Sequence, residues 1–427
     1  MIIFLLGAFV LLTIKIRKNL FYLTFVSFLG LFHIVPTVYG FVENGYIGPL
    51  GIDIYGFTFS YSLVYIYVLF IFILSLYLFN KADAFKFDLN LFGERNFLSS
   101  LDGNVFNILF VFTFAVEIAG LLAKMAYVVN YGYQESHIGE LNSGRSIFQI
   151  FNHYLFLLFL YYGLYTRKPL VKVSFFLFLI ISMFTGMRMP SLVLFLVYEL
   201  YYNRSVLISK KLFLFIPIII FLTFAIQNFR VGATTELAQF SSKDALANLM
   251  FQLFSIFGFT NEIIYASIVV KLESINIGYT NLFSDVINIY NNISYKLSGL
   301  GSLPMNLRAD SGNLSYQISK YFFSQEFLID GVTAGGSSIA EIYFYTGYLG
   351  IFIFGLFYSK IINYLTLLTR VPSFSAFVIY FTFAPYFLKS FRDGAISFLF
   401  NGFIDLILIL SSFYFLKILF YGKNYRH

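Results

Sequence analysis

Long runs of apolar residues, separated by short charged or turn-forming connections, recur from one end of the chain to the other. In hydrocarbon a backbone must satisfy its own N–H and C=O groups, so runs of this length are restricted to helices. Composition fits that environment: 59% of residues are hydrophobic, 11% are charged, and the mean hydropathy is +0.80. These values mark an integral membrane protein rather than a soluble domain. The 427 residues would make two or three soluble domains, but divide better into spans of about 20 apolar residues joined by loops.

The expected fold is all-α, a polytopic helical bundle of about eleven transmembrane helices. The stretches of spanning quality are 2–14, 20–39, 57–79, 105–129, 146–165, 171–186, 189–202, 212–228, 339–364, 373–388 and 395–420. They define an N-terminal membrane region (1–228, about eight helices), a large loop (229–338) and a C-terminal membrane region (339–427, about three helices). The first stretch has no basic residue before its apolar part and no small-residue cleavage site, so it is read as a helix and not a signal peptide.

Lysine and arginine collect in alternate connections, and such segments stay cytoplasmic. One set holds Lys15, Arg17 and Lys18; Lys81, Lys86 and Arg95; Arg167, Lys168 and Lys172; Arg204, Lys210 and Lys211; Lys360 and Arg370; and Lys423 and Arg426. The opposite set includes "GFVENGYIGPLGIDIYG", with Glu43 and Asp53 and no cation. The N-terminus is therefore expected outside, the C-terminus inside, and the loop 229–338 outside. Within that loop, "DALANLMFQLFSIFGFTNEIIYASIVVKLE" is helical by pattern and apolar. Two helices at the interface or packed over the bundle are expected there. A crossing at 245–270 is the alternative, and it would send Lys360, Arg370 and the basic tail outward.

On this layout several arginines stand on the face that topology leaves free of cations: Arg145, Arg188, Arg230, Arg308 and Arg392, with Lys389 beside the last. Guanidinium is a fixed cation with a planar donor fork suited to phosphate oxygens. Two unit charges at 4 Å attract by ~4 kcal/mol at an effective dielectric near 20, so several arginines converging in a partly dry cavity would hold a diphosphate. The competing reading is anchorage, in which arginines at helix ends reach headgroup phosphates. Lys243, Lys271, Lys296 and Lys320 read as solvated loop charges. Glu117 and Lys124 lie two turns apart in one helix, where mutual or interhelical pairing would neutralise both. His153, Glu199 and Asp405 read as interior hydrogen-bonding groups.

Other chemistries find no support. Cysteine is absent, so disulfides, thiolate metal sites and a cysteine nucleophile are excluded. Histidines 33, 137, 153 and 427 show no HExxH spacing, and there is no phosphate-cradling glycine loop and no DxD pair. Neither a metal nor another cofactor is expected. The net charge of +7 reflects topology rather than nucleic-acid binding.

Many spans, the outward arginine in "TGMRMPSLV", one large outer loop late in the chain and the following helix "GGSSIAEIYFYTGYLGIFIFGLFY" together resemble the Wzy-type oligosaccharide repeat-unit polymerases of O-antigen and capsule synthesis. The resemblance covers nearly the whole chain as layout, and Arg188 with residues 335–358 as local text. It implies a GT-C-like, metal-independent glycosyltransferase of the bacterial inner membrane with its active site facing the periplasm. It also implies undecaprenyl-pyrophosphate-linked oligosaccharides as substrates and a chain-length regulator protein as a partner.

In that family the growing chain passes from its pyrophosphate carrier to a sugar hydroxyl of the next unit. The resemblance gives Arg188, helped by Arg145, Arg230, Arg308 or Arg392, the task of stabilising the departing pyrophosphate. Asp310 and Glu341, chosen over Glu140 and Asp330, are the candidate acid–base partners of the acceptor. An ordinary helix-opening acid is the alternative for Glu341. The serines of "GGSSIAE" read as an N-terminal cap, and Gly347, Gly350 and Gly355 as close-packing positions. The rivals are an O-antigen ligase, a flippase of lipid-linked oligosaccharide and a membrane acyltransferase. Ligases carry a histidine in the large outer loop, and residues 229–338 contain none.

Overall fold

The computed structural model describes residues 2–38, 59–84, 91–92, 98, 101–143, 147–185, 188–202, 263–278, 280–281, 283–284, 287, 290–291, 312–322, 337–391 and 397–421. Among them there is no strand. The helices are α1 (Ile2–Ile16), α2 (Leu20–Leu29), α3 (Phe59–Phe79), α4 (Gly103–Ser143), α5 (Ile147–Tyr165), α6 (Pro169–Phe184) and α7 (Arg188–Tyr202). After these come α8 (Ile263–Leu272), α9 (Leu314–Phe322), α10 (Ser338–Leu368), α11 (Phe374–Lys389) and α12 (Ser397–Tyr421). A π-helical turn, Gly30–Ile34, continues α2.

Among the described residues, five segments are long and apolar enough to cross a membrane: Leu20–Val38, Tyr61–Phe79, Gly103–Val128, Ser338–Leu368 and Leu399–Phe420. Ile2–Ile16, Pro169–Phe184, Pro190–Tyr202, Ile263–Leu272 and Phe374–Lys389 are shorter apolar helices. Each stretch expected from the sequence coincides with a helix, except 212–228, which lies outside the described residues. The chain is a helical, multi-pass membrane protein. One boundary differs: α4 continues to Ser143, well past the end of its apolar window at Val128. A hydropathy reading stops where apolar text stops, whereas the backbone ladder continues through any good helix formers.

Contacts between helix ends show how the basic connections are gathered. Lys15 donates to the carbonyl of Tyr77 (2.9 Å), and Asn363 to those of Asn80 and Ala82 (3.1 and 2.8 Å). Thr366 donates to Asn19, the N-cap of α2 (3.2 Å). Tyr165 donates to Pro372 (3.3 Å) and Tyr202 to Leu164 (2.5 Å). Lys15, Lys81, Arg167, Lys168, Lys172 and Arg370 therefore share one end of the bundle, as the charge alternation requires. The helix ends that flank Arg145, Arg188 and Arg392 belong to the other end.

Aromatic packing joins α2, α3, α10 and α11. Tyr358 lies against Phe25, Phe72, Phe387 and Phe391 at centroid distances of 5.4, 5.8, 4.9 and 6.4 Å. Gly355 lets α3 approach this point, since a Cβ there would lie 2.6 Å from that of Ser75. Interior polar groups are matched across helices. Glu117 finds His153 on α5 (3.0 Å), the interhelical form of the pairing expected for it. Asp405 accepts from Tyr154 (2.7 Å) and Tyr386 (2.6 Å).

Candidate functional site

Helix α10 is broken. Gly347 has φ 69° and ψ −156°, a conformation essentially restricted to glycine. Ser338 and Tyr358 lie on opposite sides of the break, and both reach Ser390 at the end of α11. The main-chain N–H of Ser338 donates to its carbonyl (3.3 Å), and the Tyr358 hydroxyl donates to its Oγ (2.8 Å). On a continuous helix those two residues would stand about 30 Å apart. The half-helix 338–346 must therefore fold back along the second half. That second half, residues 348–368, has a length of about 31 Å, enough for one crossing.

The fold-back has consequences for both ends of the short half. At its C-terminal end the break interrupts the helix, and Lys271 on α8 meets the carbonyls of its last turn. Its Nζ donates to the carbonyls of Tyr343 (2.8 Å) and Phe344 (2.7 Å). A cation is also favoured there by the helix dipole. Lys271 is thus a structural clamp and not the solvated loop charge expected from its surroundings in sequence. Residues 263–270 of its helix are all buried, so α8 is enclosed by the protein. Gly347 and Gly350 likewise serve the break rather than helix–helix packing: a Cβ on Gly350 would fall within the side chain of Thr346. Of the three glycines, Gly355 has the packing role.

The N-terminal end is embedded within the bundle. Ser337 is the N-cap, its Oγ accepting from the N–H of Ala340 (3.4 Å), as the serine-rich text suggests. Ser337, Ser338, Ile339 and Ala340 are fully buried, and Glu341 is 5% exposed. Tyr358, whose hydroxyl meets this turn, is the midpoint of residues 348–368, so the turn sits well below the end of that span. Ser390 continues the chain of bonds by donating to the Phe387 carbonyl (2.7 Å).

Two further residues close on this point. His33, fully buried in the π-helical turn, makes a T-shaped contact with Phe391 (5.7 Å, 84°). π turns inside α-helices mark functional sites more often than chance. Phe391 directly precedes Arg392. The main chain of Arg188 opens α7, and α7 runs antiparallel to α11: Tyr201 packs on Phe377 (4.8 Å), and Tyr380 donates to the Val197 carbonyl (3.3 Å). Continuing this register places the Arg188 backbone level with Lys389 and Ser390.

Of the residues predicted from sequence, Glu341 is the one whose side chain the structure places in this site. Arg188 is placed by its backbone alone. Arg145, Arg230, Arg308, Arg392, Asp310 and Asp330 lie outside the described residues, as does the side chain of Glu140. His33 and Tyr358 were not singled out by sequence. The signal that could have found them is weak: each is a polar group inside an otherwise apolar span. Among the described residues no group of three or more His, Asp or Glu side chains could hold a metal ion.

No curated protein and no solved structure matches the chain. A family model, O-antigen polysaccharide polymerase Wzy, matches residues 1–424. That match spans nearly the whole chain, including both halves of α10, the helix pair α7–α11 and the π-helical turn. The chain therefore belongs to the O-antigen polysaccharide polymerase family Wzy.

Proposed function

We propose that this repeat-unit polymerase transfers the growing polysaccharide from undecaprenyl pyrophosphate to a hydroxyl of the next lipid-linked unit, at the periplasmic face of the inner membrane. The observation that carries the proposal is the buried N-terminal turn of the half-helix 338–346, with Glu341 in it, set level with the start of α7 at Arg188. A carboxylate in the first turn of a helix is stabilised as the anion by the dipole. In that form it can accept the proton of an attacking hydroxyl. The fixed cations of Arg188 and Arg392 would meet the charge that develops on the departing pyrophosphate, with Arg145, Arg230 and Arg308 as further contributors. Asp310 is the second candidate for the acceptor side. Charge stabilisation by guanidinium makes a metal-independent, GT-C-like enzyme the natural form, spanning the membrane about eleven times with the long loop 229–338 outside. A chain-length regulator is the expected partner.

One observation favours transport as a second reading. A helix broken within the membrane, its half-helix ends capped by charge, is a feature of secondary transporters. The family match speaks for the polymerase. Purified protein reconstituted in liposomes with undecaprenyl-pyrophosphate-linked repeat units separates the two. Polymers longer than one unit, formed without any other protein, support polymerisation. Movement of intact units across the bilayer with no polymer supports transport.

A further inference from the structure

A second cationic site lies at the opposite end of the bundle, where α5 turns into α6. Leu164, Arg167, Lys168, Lys172, Tyr198 and Tyr202 line an open pocket of about 270 Å³. Its geometry is built rather than incidental. Arg167 holds a left-handed backbone, φ 59°, which a non-glycine residue adopts at a cost of roughly 1–2 kcal/mol. Main-chain bonds from Arg167 to Leu164 (2.9 Å) and from Lys168 to Gly163 (2.8 Å) fix the turn. Two of the cations rest on aromatic faces: the Arg167 guanidinium 5.4 Å from the Tyr202 centroid and the Lys168 Nζ 4.0 Å from that of Phe106. Tyr202 is itself held by its bond to the Leu164 carbonyl.

Three cations facing one pocket repel one another, and none of them forms an ion pair with a described carboxylate. Glu199, next to Tyr198, is the neighbouring acid whose charge opposes theirs. Among the described residues the net balance remains positive, and an anion with several acceptor oxygens would relieve it. Position narrows the anion further. The pocket stands at the basic end of the bundle, where tyrosines and long cations meet the headgroup level. Helix α6 also carries an exposed apolar stripe, Leu170, Val173, Leu177 and Ile180, spaced as one helix face. A phosphate with acyl chains attached fits both parts, whereas inorganic phosphate would use the pocket alone.

We infer that this pocket binds the phosphate headgroup of an anionic phospholipid, with the lipid's acyl chain lying along the exposed face of α6. Basic pockets between membrane helices are suited to such headgroups. The site is remote from Ser390 and Glu341, and its occupancy is read without any measurement of polymerisation.

The test is native mass spectrometry of the purified full chain, titrated with phosphatidylglycerol, phosphatidylcholine or inorganic phosphate. The wild type should retain phosphatidylglycerol in preference to phosphatidylcholine. Lys172→Gln, an exposed change that leaves the turn intact, should weaken that retention about five-fold. Arg167→Ala with Lys168→Ala and Lys172→Gln should abolish the preference. Equal retention of the two lipids, or a preference unchanged in Lys172→Gln, would overturn the inference. Saturable binding of inorganic phosphate without selective lipid retention would overturn it as well, by identifying a free-phosphate site.

Discussion

The ammonium of Lys271 lies 2.8 Å from the carbonyl oxygen of Tyr343 and 2.7 Å from that of Phe344. One side chain on a buried helix thereby closes the end of another helix that Gly347 has broken. Removing the donor takes a charged hydrogen-bond partner from two carbonyls beside the break.

Lys271→Met should therefore destabilise the protein by about 1–3 kcal/mol, the range for losing hydrogen bonds from a charged donor. Thermal unfolding in detergent measures it. Lys271→Arg, which keeps a cation and donors, should recover part of the loss. A methionine variant that melts with the wild type would show that the clamp contributes nothing.

Gly347→Ala forces a Cβ into a backbone conformation that L residues avoid, at a cost of roughly 1–3 kcal/mol. The same change at Gly120, where a Cβ meets nothing within 4 Å, should be neutral or slightly stabilising. The pair of melting curves isolates backbone conformation from the general effect of adding a methyl group.

These two residues also show what a linear reading can and cannot see. Helix positions follow from local apolar text, because the membrane makes spanning a property of each segment by itself. The break does not. "YFYTGYLGIFIFG" reads as a continuous span with small residues for packing, a role that Gly355 does have, through Ser75. The broken end at Gly347 is closed by a lysine that is distant in sequence. Lys271 reads as a solvated charge because it lies within the long loop 229–338. Glu341 was legible because a capping serine and an acid in the first turn are a local signal. Tyr358 and His33 acquire meaning through Ser390 and Phe391, contacts that no spacing rule contains.

Glu341→Gln preserves shape and removes the base. Polymerisation by reconstituted protein should fall on the order of 10²–10⁴-fold, with the melting temperature little changed. Glu341→Asp should restore part of the rate. A glutamine variant polymerising at the wild-type rate would return Glu341 to a helix-opening acid.

Charge stabilisation by arginine predicts indifference to chelation. Polymer yield in the reconstituted system should be the same with and without a strong divalent-metal chelator. Loss of product, restored by adding back a divalent ion, would require a metal in place of the guanidinium groups.

Because the chain has no native cysteine, single cysteines at Met187 and Pro190 report which face of the membrane α7 begins on. A membrane-impermeant thiol reagent should label both in intact cells whose outer membrane has been opened. Labelling that requires lysis of the inner membrane would place them in the cytosol.

Replacement of Arg188 by Ala, followed by electrophoresis of the surface polysaccharide, bears most directly on pyrophosphate capture. The variant should insert at wild-type levels, and its polysaccharide ladder should collapse to a single repeat unit. A full-length ladder from that variant would contradict the assignment.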